Sequence, residues 1–371
     1  MKLGEIARES RETYSGDKTG IPIVGLEHLV SQELRFTDYD IDTENTFTKR
    51  FHKGQILFGR RRAYLKKAAI ADFDGICSGD ITVIEAIPGK VDPMLLPFII
   101  QNDRLFDYAI SHSAGGLSPR VKWADLADYE FDLPSLEEQR RLADKLWAAY
   151  ELKEAYKKMI AATDEMVKAQ FIEMFGDPIA TIQKNPLEKL GICCKINPKR
   201  PIIHINDTDM VSFVSMQAVN ENGYIQDTSC ERYDKVKKGF TYFEKGDVLF
   251  AKITPCMENG KGAIALNLKN NIGFGSTEFH ILRPIPGISN PYWLLALTRL
   301  PSFRKYAAKN MIGTGGQKRV GASFLNDFMV GCPPIEEQNI FEDIYKQAEK
   351  SKSELRQAIE KIDRVMKSLM Q

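Results

Sequence analysis

The sequence has few of the features that announce a chemistry. No run of apolar residues approaches the eighteen or so that a membrane-spanning helix needs, and Met1-Lys2-Leu3-Gly4-Glu5 does not read as a signal peptide. The six cysteines are scattered. Cys193 and Cys194 are adjacent and no Cys-x-x-Cys occurs, so neither a zinc site nor a disulfide framework is suggested, and a reducing cytoplasm is expected. The five histidines are isolated and make no metal-ligand pattern. No Gly-rich loop ends in Gly-Lys-Ser/Thr, which leaves out a phosphate-binding loop of that type. Neither sign of charge dominates: the net charge is +1, which neither supports nor excludes a nucleic-acid partner. What remains is an ordinary globular composition, 43% hydrophobic and 27% charged over 371 residues, long enough for two or three domains.

One further absence is informative. From Ser135 to Phe175 there is no Gly and no Pro, and the run stops at Gly176-Asp177-Pro178. Ser135 with Glu138 three residues on is a capping box, and Gly followed by Pro is a helix stop. Leu142, Leu146, Ala149, Tyr156, Ile160, Thr163 and Val167 recur at steps of three, four or seven. This predicts one helix of roughly 60 Å. A helix that long needs a partner, and the chain supplies one. Phe341, Ile344, Ala348, Ser351, Leu355, Ala358, Ile362, Val365 and Leu369 step by three and four to the end, a coiled-coil seam.

The two helices begin alike. Leu133-Pro134-Ser135-Leu136-Glu137-Glu138-Gln139 is echoed by Cys332-Pro333-Pro334-Ile335-Glu336-Glu337-Gln338. Lys2-Leu3-Gly4 is echoed by Lys189-Leu190-Gly191, the Phe51–Phe58 segment by Phe243–Phe250, and Ile87-Pro88-Gly89 by Ile285-Pro286-Gly287. Four echoes in one order make a tandem duplication. The expected division is 1–132 and 178–331 as two α+β units, with long helices over 133–177 and 332–371. Strands are expected at Gln55–Phe58, Val248–Lys252, Ile81–Ala86 and Glu278–Leu282. Short helices are expected after Asp92-Pro93 and Asn290-Pro291, the acid or amide capping and the proline in the first turn. Equal halves predict antiparallel helices, with Tyr156 near Leu355 and Gln371 near Met1.

The copies diverge most after Phe58 and Phe250, and loops absorb such change and carry function. Unit one has Arg60, Arg61, Arg62, Tyr64, Lys66 and Lys67 there; unit two has Lys252, Thr254, Asn259 and Lys261. Arginine forks onto guanine edges or phosphates, and lysine pairs phosphates. A Gly-rich loop later in each unit adds Arg120 and Lys122, or Gln317, Lys318 and Arg319. These are the candidate DNA-contacting residues; solvated turns and plain connectors are the alternative reading. No catalytic constellation accompanies them. Asn290-Pro291-Tyr292-Trp293 resembles the Asn-Pro-Pro-Tyr of amino-methyltransferases with one proline missing, and a capped helix start explains it. Glu151-Leu152-Lys153 has a nuclease-like Glu-x-Lys but falls on a helix face.

Two units that each end in Pro-x-x-Glu-Glu-Gln and a long helix resemble the specificity subunit of type I restriction-modification systems. The residues that carry the resemblance are Pro134, Glu137, Glu138, Gln139, Pro333, Glu336, Glu337 and Gln338, with Met174-Phe175-Gly176-Asp177-Pro178 at the first helix end. The resemblance implies two target recognition domains reading the halves of a split double-stranded DNA site. It implies an antiparallel coiled coil that spaces the domains and docks two modification subunits, and restriction subunits beyond them. No cofactor is expected in this chain; S-adenosylmethionine, ATP and magnesium would belong to those partner subunits. The family motifs mark scaffold, so no base reader is carried over. Two other readings are a coiled-coil adaptor that binds only protein and a self-contained DNA methyltransferase or nuclease. Missing cofactor motifs argue against the second, and divergent basic loops against the first.

Overall fold

A computed structural model describes residues 1–180 and 184–370. The chain folds as two compact units, Met1–Tyr156 together with the chain from Gln357 onward, and Lys157–Arg356. Each long helix is therefore shared between the units, whereas the sequence division set the helices apart as segments of their own.

The first unit holds strands β1 (Ala7–Ser10), β2 (Ile23–Val24), β3 (Lys49–Phe51), β4 (Ile56–Gly59), β5 (Ala68–Ile70), β6 (Gly75–Cys77) and β7 (Ile81–Ala86). Helices α1 (Leu96–Ile100), α2 (Asp103–Ser111), α3 (Trp123–Ala127) and the long α4 (Leu136–Phe175) follow. The second unit opens with β8 (Leu187–Lys189), α5 (Leu190–Cys193), β9 (Cys194–Ile196), β10 (Met210–Val214), β11 (Ser229–Arg232) and α6 (Tyr233–Val236). It continues with β12 (Thr241–Glu244), β13 (Val248–Ala251), β14 (Gly262–Ile264), β15 (Ile272–Gly275) and β16 (Phe279–Pro284). It closes with α7 (Pro291–Arg299), α8 (Pro301–Lys309), α9 (Ala322–Asp327), β17 (Met329–Gly331) and the long α10 (Ile335–Leu369).

The duplication is one of topology. The antiparallel sheet β1-β7-β4-β5 of the first unit reappears as β9-β16-β13-β14 in the second. A smaller sheet β2-β6-β3 reappears as β10-β15-β12, with the first pair parallel and the second antiparallel in both copies; the second unit adds β11 at the edge. The central strands read as unbroken apolar runs because both faces are covered. Ile56 and Phe58 face one core while Leu57 faces another; Val248 and Phe250 likewise part from Leu249. Phe58 stacks on Phe106 and Phe250 meets Phe303 edge-on at the equivalent places.

The helix starts explain the repeated motif. The Ser135 amide donates to Glu138 at 3.0 Å and the Glu138 amide to the Ser135 hydroxyl at 3.4 Å, the capping box in both directions. The glutamines that end the motif are buried. Gln139 accepts from the Asp92 amide (2.9 Å) and donates to the Pro134 carbonyl (2.8 Å); Gln338 accepts from the Asn290 amide (3.0 Å) and donates to the Pro333 carbonyl (2.9 Å). Each glutamine thus ties its long helix to the start of the helical layer. Gly176, at φ +86°, ends α4 in a conformation that favours glycine.

Within each unit the long helices run antiparallel. In the second, Lys352 meets Asp164, and Phe341 packs against Phe171 and Phe175 further along α4. In the first, Lys153 meets Asp363 at 2.7 Å, and Met366 and Met370 lie with Leu146 and Tyr150. Among the seam residues Leu146, Val167, Phe341 and Ala348 are buried, and Leu142, Ala149, Tyr156, Ile160, Ile344, Leu355, Ala358, Ile362 and Leu369 are half-buried.

Two expectations need correction. Val365 is 54% exposed; Met366 packs in its place, because a helix of 3.6 residues per turn drifts from a strict repeat of 3.5. The first short helix begins at Leu96, because the Asp92 carboxylate caps a turn through the Met94 amide (2.8 Å). Asn290 does cap α7, accepting from the Trp293 amide at 2.9 Å. The expected proximity of Gln371 to Met1 lies outside the described residues.

Candidate nucleic-acid interface

The chain leaves the central strand of each unit straight into the loop singled out by sequence, and the fold lays the Gly-rich loop beside it. In the first unit the Arg62 amide donates to the Pro119 carbonyl (2.8 Å) and the Val121 amide to the Arg60 carbonyl (3.0 Å). In the second, the Thr254 amide donates to Lys318 (3.0 Å) and the Val320 amide to Lys252 (2.9 Å). Two loops far apart in sequence are thus clasped in the same way in both copies. Each Gly-rich loop is a small hairpin, bridged at Ala114–Arg120 and at Ile312–Arg319. Gly115 (φ +116°) and Gly313 (φ +129°) turn it through backbone angles that side chains disfavour.

A third segment completes the clasp. Asp80 lies in the turn before β7, and the Arg60 amide donates to its carbonyl (3.0 Å). Its carboxylate takes Arg120 Nε at 2.7 Å and Arg61 Nη1 at 3.2 Å, while Arg61 Nη2 donates to the Ser118 hydroxyl at 3.0 Å. Burial pushes the Asp80 carboxyl up, but Arg120 and Arg61 outweigh it and hold it below the usual carboxylate range. Glu278 sits at the same place before β16. It is gripped by Arg319 through Nε (3.0 Å) and Nη2 (2.9 Å), and that hydrogen bonding lowers its pKa. Both acids are preceded by a serine that caps their turn: the Asp80 amide donates to Ser78 Oγ and the Glu278 amide to Ser276 Oγ, each at 3.2 Å. Sequence reasoning missed this element. Its signal was Ser78-Gly79-Asp80 against Ser276-Thr277-Glu278, one more echo of the repeat.

The candidate residues divide by what already holds them. Arg61, Arg120 and Arg319 are ion-paired in the clasp. Lys66 pairs with Asp103 at 2.6 Å and Lys67 donates to the Leu26 carbonyl at 2.7 Å, so both anchor the loop from within. Thr254 donates to Glu258 (3.1 Å) and Asn259 to Glu221 (2.9 Å), which shapes the second unit's loop. Arg60, Lys252 and Lys261 are half-buried. Arg62, Tyr64 (52% exposed) and Lys122 face outward in the first unit, as do Gln317 and Lys318 in the second. The outward sets differ: a guanidinium, a phenol and an ammonium against an amide and an ammonium. Among the described residues no cluster of three or more His, Cys, Asp or Glu is placed to hold a metal ion, and no helix is long and apolar enough to cross a membrane.

The fold is thus a twice-built α+β unit with a variable, partly cationic clasp, each copy running into a long helix. The chain belongs to the type I restriction modification DNA specificity domain family, whose model matches residues 2–161 and again 188–363. It is similar to two Escherichia coli proteins. It is 40% identical to the type I restriction enzyme EcoAI specificity subunit over 146 residues, 39% of this chain and 24% of that protein. It is 34% identical to the EcoEI specificity subunit over 196 residues, 50% of this chain and 32% of that protein. The matched regions therefore span a quarter to a third of those relatives. Two solved structures share the fold over the whole chain and 95% of their own. One comes from work on complex assembly and conformational transition of the type I R-M system (TM-score 0.56, 19% identity). The other is the type I restriction-modification S subunit of M. genitalium (TM-score 0.55, 12% identity).

Proposed function

We propose that this chain is the DNA-recognition subunit of a type I restriction-modification complex and reads a split site, one half with each unit. The observation that supports this most is the clasp: its backbone is the same in both units, and its outward side chains are not. A scaffold kept twice with unlike contact sets suits two short, unlike base sequences separated by an unread spacer. Backbone-clasped loops satisfy the preorganisation that selective contacts require.

The chain itself carries out no covalent step in this reading. Methylation and cleavage, with S-adenosylmethionine, ATP and magnesium, reside in modification and restriction subunits that dock on it in the cytoplasm. With a net charge of +1, the isolated chain binds DNA weakly, since clustered cations releasing counterions supply much of such affinity. Methyl transfer to DNA by the purified chain alone and after addition of modification subunits tests the reading. The expected result is none alone and site-specific methylation in the mixture. Methylation by the isolated chain would turn the assignment towards a self-contained methyltransferase, and a mixture with no sequence preference would turn it towards an adaptor.

A further inference from the structure

We propose that Asp80 and Glu278 are positioning residues for base recognition, each clamping the Gly-rich loop of its own unit onto the loop that leaves the central strand. The proposal rests on the DNA-recognition reading above. A loop containing Gly115 and Gly116, or Gly313, Gly315 and Gly316, is costly to order. Its main-chain ties to the neighbouring loop lie at the root, next to Arg120 and Arg319. The carboxylates add a second, side-chain hold on the same strand of the hairpin.

The two clamps are built differently, and the difference bears on which residues touch DNA. Asp80 holds two guanidiniums, and Arg120 gives it only Nε, with its side chain 46% exposed. Among the described residues the terminal nitrogens of Arg120 have no hydrogen-bond partner, which leaves them available to an outside acceptor. Arg319 spends Nε and Nη2 on Glu278 and Nη1 on the Gln317 carbonyl, so its donors are turned inward. Ile253 stands where the first unit has Arg61. The longer glutamate reaches one arginine with both oxygens; the shorter aspartate sits between two. In this arrangement Arg120 both braces and reads, whereas Arg319 braces and leaves reading to its neighbours. Each acid is also neutralised by its own arginine, so neither presents a bare negative charge to phosphates.

The test uses the full chain assembled with modification subunits and a DNA library randomised at both half-sites. Asp80→Asn keeps the shape but offers one acceptor where two guanidiniums need two. It should lower preference about tenfold, close to one lost base contact, in the half-site read by the first unit and leave the other half unchanged. Glu278→Gln should do the reverse. Asp80→Glu keeps the charge and two acceptor oxygens for the two guanidiniums, so it should retain more of the preference than Asp80→Asn. The melting temperature of the free chain should hold for all three. If Asp80→Asn lowers it, Ser118→Ala, which frees only Arg61 Nη2, should still give a smaller loss confined to the same half. Equal loss in both halves, no loss in either, or Asp80→Glu as damaging as Asp80→Asn overturns the clamp. If the unaltered complex shows no split preference, the functional reading falls and takes the clamp with it. If it shows one that the variants leave intact, only the clamp falls.

Discussion

The two units share their sheets, their clasps and the glutamine at the head of each long helix, yet they differ in three places. The loop after the central strand is cationic and aromatic in the first and mostly neutral in the second. The helix pair relies on methionines where Leu146 and Tyr150 lie with Met366 and Met370, and is aromatic where Phe171, Phe175, Phe341 and Tyr345 cluster. The ion pair in the first helix pair, Lys153–Asp363, is partly exposed, whereas Lys352, 1% exposed, is enclosed between Asp164 and Glu349. The sheets and clasps keep one geometry in both units, and in the proposed reading the loops differ because each contacts its own half-site.

The ion pairs give the largest expected contrast. Lys352→Ala leaves two acids against a closed seam and should cost about 3–5 kcal/mol, while Lys153→Ala should cost about 1 kcal/mol or less. Denaturant midpoints of the two variants decide it; equal losses would break the contrast. Lys352→Met, which fills the space without charge, should cost less than Lys352→Ala only if both acids can turn to water.

The glutamines come next. Gln139→Ala orphans the Asp92 amide, and Gln338→Ala orphans the Asn290 amide and removes bonds to two carbonyls, Ile288 and Pro333. Each should cost about 1–3 kcal/mol with the second larger, read from the same midpoints. A Gln338 variant milder than the Gln139 variant would mean that the extra bond contributes nothing.

A smaller contrast is set by pH. Hydrogen bonds from Asp74 and Glu12 raise the His52 pKa in the first unit, whereas burial lowers that of His280 in the second. The His52 contribution is complete below the ordinary value near 6.5 and fades as pH rises through the raised value. The His280 contribution is complete above 6.5 and fades as pH falls through the lowered one. Between pH 8 and pH 5.5 the first unit should gain on the second. Hydrogen exchange at the amides of β7 and β16, corrected for intrinsic rates, follows each; a shift in the opposite sense would contradict the assignment.

Much of this was legible in the sequence, and the reasons are local. Ser135 with Glu138, and Gly176 before Asp177-Pro178, mark helix ends through bonds made within one turn. The echo from Phe51–Phe58 to Phe243–Phe250 marks a strand because its neighbours in the sheet are duplicated with it. What failed depended on contacts made across the fold. Lys66 and Lys67 read as surface cations, yet Asp103 and the Leu26 carbonyl hold them. Asp80 was passed over because its role appears only when Arg61 and Arg120 arrive from two other segments. Val365 fitted the spacing but not the drift of the helix.

The claim on which the account turns is that the two clasps read separately. The most direct measurement is binding selection by the assembled complex from DNA randomised across both half-sites and the spacer, with the unaltered chain, Arg62→Ala and Lys318→Ala. The account predicts two short, unlike motifs about an unread spacer. Arg62→Ala should weaken preference by about 1–3 kcal/mol at positions of one motif only, and Lys318→Ala should act only on the other. A single contiguous motif, or either variant altering both halves alike, would contradict it.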